Sequence, residues 1–263
     1  MINNIYKKYR FLIARRISQI SIMVLYVIAN LFGINILMGN LSSSLVLNTI
    51  PLSDPYAVLQ MFFAGAVISF DILLGAFFIL IFYMILGGRA FCSWVCPVNI
   101  ITDFANYLRK KFGFNQIQKK QPASRNIRYW IIAISFIISF LMGITAFELI
   151  SPISMVHRGI IFGMGFGWAV ISIIFLFDLF VLKNGWCGHI CPLGGFYSLI
   201  GRFSFLRVHH NAQNCTACMK CKEICPENQV LHMITKTSMP VLSGECTNCG
   251  RCVEVCDDNA LNF

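Results

Sequence analysis

Eight of the twelve cysteines in this sequence stand near its C-terminus, in two runs with identical spacing. The runs read CTACMKCKEICP, from Cys215, and CTNCGRCVEVCD, from Cys246. Each has the pattern C-x2-C-x2-C-x3-C, in which three thiolates on one tight loop can bind three irons of a cubane and the fourth cysteine binds the other cluster. The spacing therefore predicts two [4Fe–4S] clusters. The predicted ligands are Cys215, Cys218, Cys221 and Cys256 for the first cluster, and Cys246, Cys249, Cys252 and Cys225 for the second.

A structural zinc site is the main alternative for these eight thiols. Zinc sites usually combine two pairs of ligands across a longer loop, whereas here three cysteines fall within seven residues in each run. The first run ends in the expected Pro226, but the second has Asp257 in the place of proline, which leaves the ligands unchanged. Two adjacent clusters under little protein are typical of electron carriers, so the tail is interpreted as an electron relay.

The other four cysteines form two pairs, in FCSWVCP, from Phe91, and in WCGHICP, from Trp186. The members of each pair are four residues apart, so they share a face of a helix, and the proline that follows can end that element. Four interpretations stay open: buried thiols without a function, a structural disulfide, a redox-active thiol pair or docking feature, and a third redox or metal site. A reducing compartment disfavours the disulfide. The four residues are Cys92, Cys96, Cys187 and Cys191.

The elements that position these cysteines are predicted to be membrane helices. Only 12% of the 263 residues are charged and 57% are hydrophobic, whereas about a quarter of the residues in a soluble domain are charged. Four apolar segments are long enough for a helix of about 20 residues that crosses the hydrocarbon core. These segments are Ile17–Met38, Val67–Gly87, Tyr129–Ile150 and Ile160–Leu182.

The basic residues predict which side of the membrane each loop faces. No Lys or Arg lies between Arg16 and Arg89, and only Arg158 lies between Arg128 and Lys183. Because positive residues collect on the cytoplasmic side, the N-terminus, the loop that ends at Arg128 and the tail after Lys183 are predicted to be cytoplasmic. The net charge of +10 follows this pattern and forms no basic stripe with interleaved aromatics, so no nucleic-acid partner is expected.

The predicted fold is a membrane all-α four-helix bundle of two helical hairpins, with both termini inside, and a small C-terminal α+β two-cluster ferredoxin domain. A shift to polar, cysteine-rich sequence divides the chain into a transmembrane domain, residues 1–207, and a cytoplasmic ferredoxin-type domain, residues 208–263. Each cysteine pair ends one hairpin at the cytoplasmic face. The predicted location is therefore the bacterial inner membrane, crossed several times.

A membrane electron carrier needs a lipid-soluble partner, and a quinol is the obvious candidate. Quinol oxidation needs a group that accepts protons, and ionisable residues in apolar segments are candidates for that role. Asp71 and His157 are predicted near the outer surface. The alternative is that both lie in the hydrated headgroup layer or cap a helix. The sequence has no C-x-x-C-H motif, so no covalently attached haem is expected.

The two C-x3-C-P motifs combined with the two-cluster tail resemble the NapH family, the ferredoxin-type membrane subunits of periplasmic nitrate reductase systems. The resemblance implies oxidation of menaquinol or ubiquinol from the membrane quinone pool. It also implies electron transfer through a NapG-type periplasmic iron–sulfur subunit toward the nitrate reductase, and contact with a cytoplasmic ferredoxin-type protein through the C-x3-C-P cysteines. The chain would then be one subunit of a quinol dehydrogenase.

Related architectures leave other functions open. NosR, MauN and CcoG share these motifs, and they suggest a redox-linked assembly or regulatory protein that reduces a metal or maintains a partner enzyme. The large extra domains expected of NosR or CcoG are not seen in this sequence, which favours the NapH resemblance, while MauN has the same architecture. A passive anchor that recruits a soluble ferredoxin-type protein is a third interpretation.

Overall fold

The longest element of the computed structural model is helix α1, which runs from Ile2 to Phe32 and has a kink at Tyr9 (φ −126°, ψ 19°). The structure describes residues 2–33, 37–47, 49–113, 124–163, 165 and 167–263. Between Tyr9 and Phe32, α1 has 24 residues and is long and apolar enough to cross a membrane. Within the described ranges it is the only helix that meets both conditions.

A small antiparallel sheet and a series of shorter helices follow α1. The three strands pair in the order β1-β2-β3, with Leu37 opposite Val46 and Val46 opposite Ile50. Two π-helical turns, Phe177–Val181 and Trp186–Ile190, precede the last helix of this part. The elements are β1 (Leu37–Gly39), β2 (Ser43–Val46), β3 (Ile50–Ser53), α2 (Pro55–Phe63), α3 (Phe70–Leu86), α4 (Ala90–Trp94), α5 (Val98–Lys111), α6 (Ile127–Met142), α7 (Ala146–Ile150), α8 (Pro152–Phe162), α9 (Gly167–Leu176) and α10 (Pro192–Gly201).

The tail combines short strands with short helices, as expected of an α+β ferredoxin-type domain. Its strands form an antiparallel sheet with β4 in the centre, where His209 lies opposite both Pro240 and Asn262. The elements are β4 (His209–His210), α11 (Lys220–Ile224), a 3-10 turn (Asn228–Leu231), β5 (Met239–Pro240), α12 (Arg251–Glu254) and β6 (Leu261–Asn262). The core contains Val208, Val230, Leu231, Met233, Ile234, Val241 and Leu261, with Cys221, Cys225 and Cys252.

The predicted four-helix membrane bundle of two hairpins is wrong, and the multi-pass topology that depends on it is not supported. Apart from α1, the apolar helices have at most 17 residues. The predicted span Tyr129–Ile150 is divided at Gly143, whose left-handed backbone (φ +64°) ends α6. The predicted span Ile160–Leu182 is divided at Gly163 (φ +97°), between α8 and α9. Glycine adopts positive φ without a steric cost, so these apolar runs turn where an unbroken helix was expected.

The other two predicted spans also differ from the helices observed. For the segment Ile17–Met38, the helix ends at Phe32, next to Gly33 with φ +66°, and a strand contains Leu37 and Met38. For the segment Val67–Gly87, the helix begins three residues later than predicted, at Phe70. Apolar composition alone therefore overestimated the length of the helices.

The described residues form two compact units. The first unit contains the described residues of Met1–Gln19, Tyr83–Val95 and Tyr197–Phe263. The second unit contains the described residues of Ile20–Phe82 and Cys96–Phe196. The predicted ferredoxin-type domain, residues 208–263, lies in the first unit. That unit also includes the N-terminal part of α1 and the whole of α4.

Candidate functional site

Two cavities in the first unit are lined by the tail cysteines in the predicted sets. We call the cavity lined by the first predicted set site 1 and the cavity lined by the second predicted set site 2. Each receives three cysteines from one run and the fourth from the other run, the crossing that two-cluster ferredoxins use. Site 1 is lined by Cys215, Cys218, Cys221 and Cys256, and site 2 by Cys225, Cys246, Cys249 and Cys252. None of the twelve cysteines forms a disulfide.

The two ligand loops repeat the same unusual backbone conformation. Ala217 (φ 60°) and Asn248 (φ 46°) occupy equivalent positions in the two runs, and so do Met219 (φ 59°) and Gly250 (φ 71°). Where left-handed residues are flanked by residues with negative φ, successive backbone N–H groups point into one concavity. Such a concavity suits an anion, as in many iron–sulfur sites. For alanine and methionine this conformation costs about 1–2 kcal/mol each. The loops therefore hold a strained shape that the residues at site 1 do not favour by themselves.

Glycine is required at position 250 for a second reason. A Cβ atom added to Gly250 would overlap the ring of Phe11, from the N-terminal part of α1. The carboxylate of Glu254 accepts hydrogen bonds from the backbone N–H groups of Phe11 and Leu12, the latter at 3.0 Å. The N-terminal part of α1 thus packs directly on the loop and helix that carry the ligands of site 2.

The donor sets fit [4Fe–4S] clusters better than single metal ions. No group of three or more His, Cys, Asp or Glu in the described part of the chain is placed to hold one metal ion. A zinc ion would draw its thiolates to about 2.3 Å, whereas a cubane lies between four thiolates that stand further apart. Burial raises the pKa of the Cys246 thiol to about 11, and burial likewise raises the pKa of Cys252. Such thiols need bound cations if they are to ionise together.

The two sites differ in their exposure. In the loop of site 1, Cys218 is exposed and Met219 retains 42% of its accessible surface. In the loop of site 2, Cys249 and the neighbouring Thr247 and Asn248 are buried. The sequences of the two runs do not predict this difference, because the covering residues lie far away in the chain.

Helix α4, which contains half of the FCSWVCP motif, is one of the elements that cover site 2. The Ser93 hydroxyl donates to the carbonyl of Thr247 at 2.7 Å, and the Trp94 indole N–H donates to the carbonyl of Asn248 at 3.0 Å. In return, the Asn248 side-chain amide donates to the carbonyl of Leu86 at 2.8 Å. These bonds fix the loop between the first two cysteines of the second run.

A buried ion-pair cluster lies beside the same site. Arg89 donates to the carboxylates of Glu227 at 2.9 Å and Glu245 at 3.2 Å. Glu227 lines the cavity of site 2. These three residues were not among the functional candidates predicted from the sequence. The available signals were a lone arginine that ends a long segment without basic residues and two glutamates next to cysteine motifs.

Comparison with known proteins agrees with this geometry. A family described as "4Fe-4S dicluster domain" matches residues 207–257, and one described as "4Fe-4S binding domain" matches residues 61–115 and 164–209. The "Methylamine utilization ferredoxin-type protein MauN" of Methylorubrum extorquens is 43% identical over 88% of this chain and 80% of its own length. The "Ferredoxin-type protein NapH" is 42% identical in Haemophilus influenzae, over 84% of this chain and 77% of that protein. The "Ferredoxin-type protein NapH" of Escherichia coli is 40% identical over 86% of this chain and 78% of its own length.

The chain belongs to the NapH/MauN family of ferredoxin-type proteins. The predicted resemblance to NapH is confirmed, and MauN proteins are equally similar. The predicted iron–sulfur and ferredoxin character is confirmed at the level of the family. No solved structure matches the chain.

In this NapH/MauN-type chain the paired cysteines lie in the regions that match the "4Fe-4S binding domain" family. Cys92 is half-buried in α4, and Cys187 is half-buried in the second π-helical turn. Cys96 and Cys191 are buried, and the proline after each stands at the start of the next helix, α5 or α10. A third site built from these four thiols stays a prediction.

The two residues proposed for proton transfer lie in very different environments. Asp71 is exposed in the first turn of α3. His157 in α8 is 3% exposed, with its ring edge-on to Tyr26 at 4.8 Å between centroids. Neither ring nitrogen of His157 has a hydrogen-bond partner among the described residues. Burial, and then the charge of Arg158, lower the pKa of His157.

Proposed function

We propose that this chain is a membrane electron-transfer subunit that holds two [4Fe–4S] clusters and takes electrons from quinol. The observation that carries the proposal is the crossed arrangement of the two cavities, each with three cysteines of one run and one of the other. When bound, such clusters supply one-electron transfer at potentials set by hydrogen bonds and solvent exposure. The sets lining site 1 and site 2 would be the ligands.

The residues of the chain would hold each cluster in three ways. Four thiolates would bind its irons, the left-handed residues of each loop would present N–H groups to its sulfides, and apolar side chains such as Val230 and Leu231 would exclude water. Site 1 would exchange electrons with a partner, because its loop is exposed around Cys218. Site 2, covered by α4 and α1, would be the inner site.

Attachment to the bacterial cytoplasmic membrane is supported by α1. The 24 residues from Tyr9 to Phe32 are long enough to cross the bilayer. Basic residues such as Arg10 and Arg16 lie at the N-terminal end of this segment. The backbone N–H of Leu12 bonds to Glu254 in the tail, so the N-terminal part of α1 and the ferredoxin-type tail belong on one side of the membrane. The basic residues favour the cytoplasmic side.

The quinol and its partners are proposed from the family. Because the chain belongs to the same family as NapH proteins, its proposed electron-transfer partner is a NapG-type iron–sulfur subunit that leads toward a periplasmic nitrate reductase. The second proposed partner is a cytoplasmic ferredoxin-type protein. Of the two proton-accepting candidates, His157 is favoured, because a buried imidazole with two unpaired nitrogens can hydrogen-bond a quinol hydroxyl. Asp71 is exposed and can be satisfied by water.

The role is tested by reduction with quinol under anaerobic conditions. The purified chain in lipid vesicles is mixed with a menaquinol analogue, and bleaching of the cluster absorbance and the EPR signal are recorded. We expect quinol to reduce the wild type, His157→Gln to slow this step at least tenfold, and Asp71→Asn to have little effect. Clusters that dithionite reduces but no quinol reduces would overturn the proposal.

The similarity to MauN favours a second candidate function. The relative from Methylorubrum extorquens is named for methylamine utilization, so the second candidate is a redox-linked assembly or regulatory protein of that process. Complementation separates the two functions. Restoration of nitrate respiration in a strain without NapH supports the first, and restoration of growth on methylamine in a strain without MauN supports the second.

A further inference from the structure

We propose that Arg89, Glu227 and Glu245 form a charge triad that joins the two ligand segments of site 2 and sets the reduction potential of a cluster bound there. The inference deepens the proposed function and rests on site 2 holding a cluster. Arg89 would act as a positioning residue, because it does not itself line the cavity.

The triad connects three segments that are distant in sequence. Arg89 precedes α4 by one residue, Glu227 follows Cys225 by two residues, and Glu245 immediately precedes Cys246. The guanidinium Nη1 donates to Glu227 Oε1 at 2.9 Å, to Glu245 Oε2 at 3.2 Å and to the Glu245 carbonyl at 3.1 Å. One cation therefore holds together the only ligand of site 2 from the first run and the first ligand from the second.

Burial makes these charges effective at the cavity. Arg89 is 1% exposed and Glu227 is 2% exposed, while the side chain of Glu245 is 18% exposed. Charges in a water-poor environment interact several times more strongly than charges in bulk water.

The sign of the effect follows from the net charge of the triad. With both carboxylates ionised the triad carries one negative charge, and reduction of a bound cluster adds another negative charge to the cavity. Removing the cation would leave two carboxylates and oppose reduction. Removing the carboxylate of Glu227 would leave a neutral pair and favour reduction. Opposite shifts from two substitutions at one contact are not expected from loosened packing.

No equivalent buried triad flanks site 1 in the described residues. The corresponding ion pair there is Lys220 with Asp257, and its side chains are 58% and 76% exposed. Water and salt screen such a pair strongly. Lys220 is therefore a matched control, a cation near a predicted ligand that should not set a potential.

The test is a potentiometric titration followed by EPR at pH 8, on wild type, Arg89→Gln, Arg89→Lys, Glu227→Gln and Lys220→Gln, with iron counted in each. At a fixed solution potential we expect Arg89→Gln to lower the reduced-to-oxidised ratio of one cluster about tenfold, a shift of about −59 mV. Glu227→Gln should raise the ratio of the same cluster, while Arg89→Lys stays near the wild type. Lys220→Gln should shift neither cluster.

Two results would overturn the proposed effect of the triad on the reduction potential. One is an unchanged potential in Glu227→Gln with full iron content, and the other is a shift of the same sign in Glu227→Gln and Arg89→Gln. If Arg89→Gln fails to assemble, Glu227→Gln decides alone, since it keeps the cation and nearly the same shape. A wild type that lacks a second cluster would instead contradict the proposed function, so the two failures can be told apart.

Discussion

The indole N–H of Trp94 donates a hydrogen bond to the main-chain carbonyl of Asn248, 3.0 Å away. Trp94 belongs to the FCSWVCP motif, and Asn248 lies between the first two cysteines of the second run. This bond and the neighbouring one from Ser93 to Thr247 place the first half of the motif against the loop of site 2. Part of a motif without an evident role in the sequence therefore supports the more buried of the two cavities.

Loss of the indole donor should make site 2 less stable. Trp94→Phe keeps an aromatic ring but leaves the Asn248 carbonyl without this bond, which costs about 1 kcal/mol. We expect half of the bound iron to be released to a chelator about fivefold faster than in the wild type. Trp130→Phe, at a tryptophan that is 71% exposed, is the control. Equal release rates in the two variants would contradict the supporting role of Trp94.

Equivalent positions in the two loops should respond in opposite ways to substitution. Gly250→Ala introduces a Cβ that overlaps the Phe11 ring, at a left-handed position, so about four irons per chain should be lost. Met219→Gly relieves the same conformation at the exposed loop and should stabilise the protein by up to about 1 kcal/mol with all iron retained. Iron analysis and the thermal unfolding midpoint measure both effects. Full iron content in Gly250→Ala would show that the contact with Phe11 is not tight.

Acid should destabilise the protein through His157. Because the folded state lowers the pKa of this imidazole, the unfolded chain binds the proton more readily. Stability is therefore fully present above the unfolded pKa of about 6.5 and is lost as the pH falls below it. We expect His157→Gln to reduce the drop in unfolding midpoint between pH 7.5 and pH 5, whereas His232→Gln, at an exposed histidine, should not. An identical acid response in wild type and His157→Gln would rule out His157 as its source.

The cysteines that line each cavity are those that the sequence groups together, because three of the four predicted ligands of a cubane come from one short loop. The spacing of each run predicts three neighbours, and the crossing of Cys225 and Cys256 follows from the pattern of two-cluster ferredoxins. The cavities contain the cysteines in these sets. Local spacing was sufficient for this grouping, because most of the information needed is local, while the role of these cysteines as cluster ligands stays a prediction.

The helices and the supports of site 2 could not be predicted in the same way. Average hydropathy does not register one left-handed glycine, so the breaks at Gly143 and Gly163 were missed. Arg89 is 138 residues from Glu227 in the chain, and no periodicity links them. Only the fold reveals that a lone arginine, two glutamates and residues of the segment FCSW make contacts beside the same cavity.

The crossing of the ligands is tested most directly by counting iron in two double variants with the same number of cysteines removed. The wild type purified without oxygen should contain eight irons per chain, and twelve would indicate a third cluster at the paired cysteines. Cys215→Ala combined with Cys256→Ala removes two ligands from site 1 alone and should leave about four irons. Cys215→Ala combined with Cys225→Ala damages both sites and should leave far fewer. If instead the second variant keeps four irons and the first keeps almost none, each run binds its own cluster and the crossed arrangement is wrong.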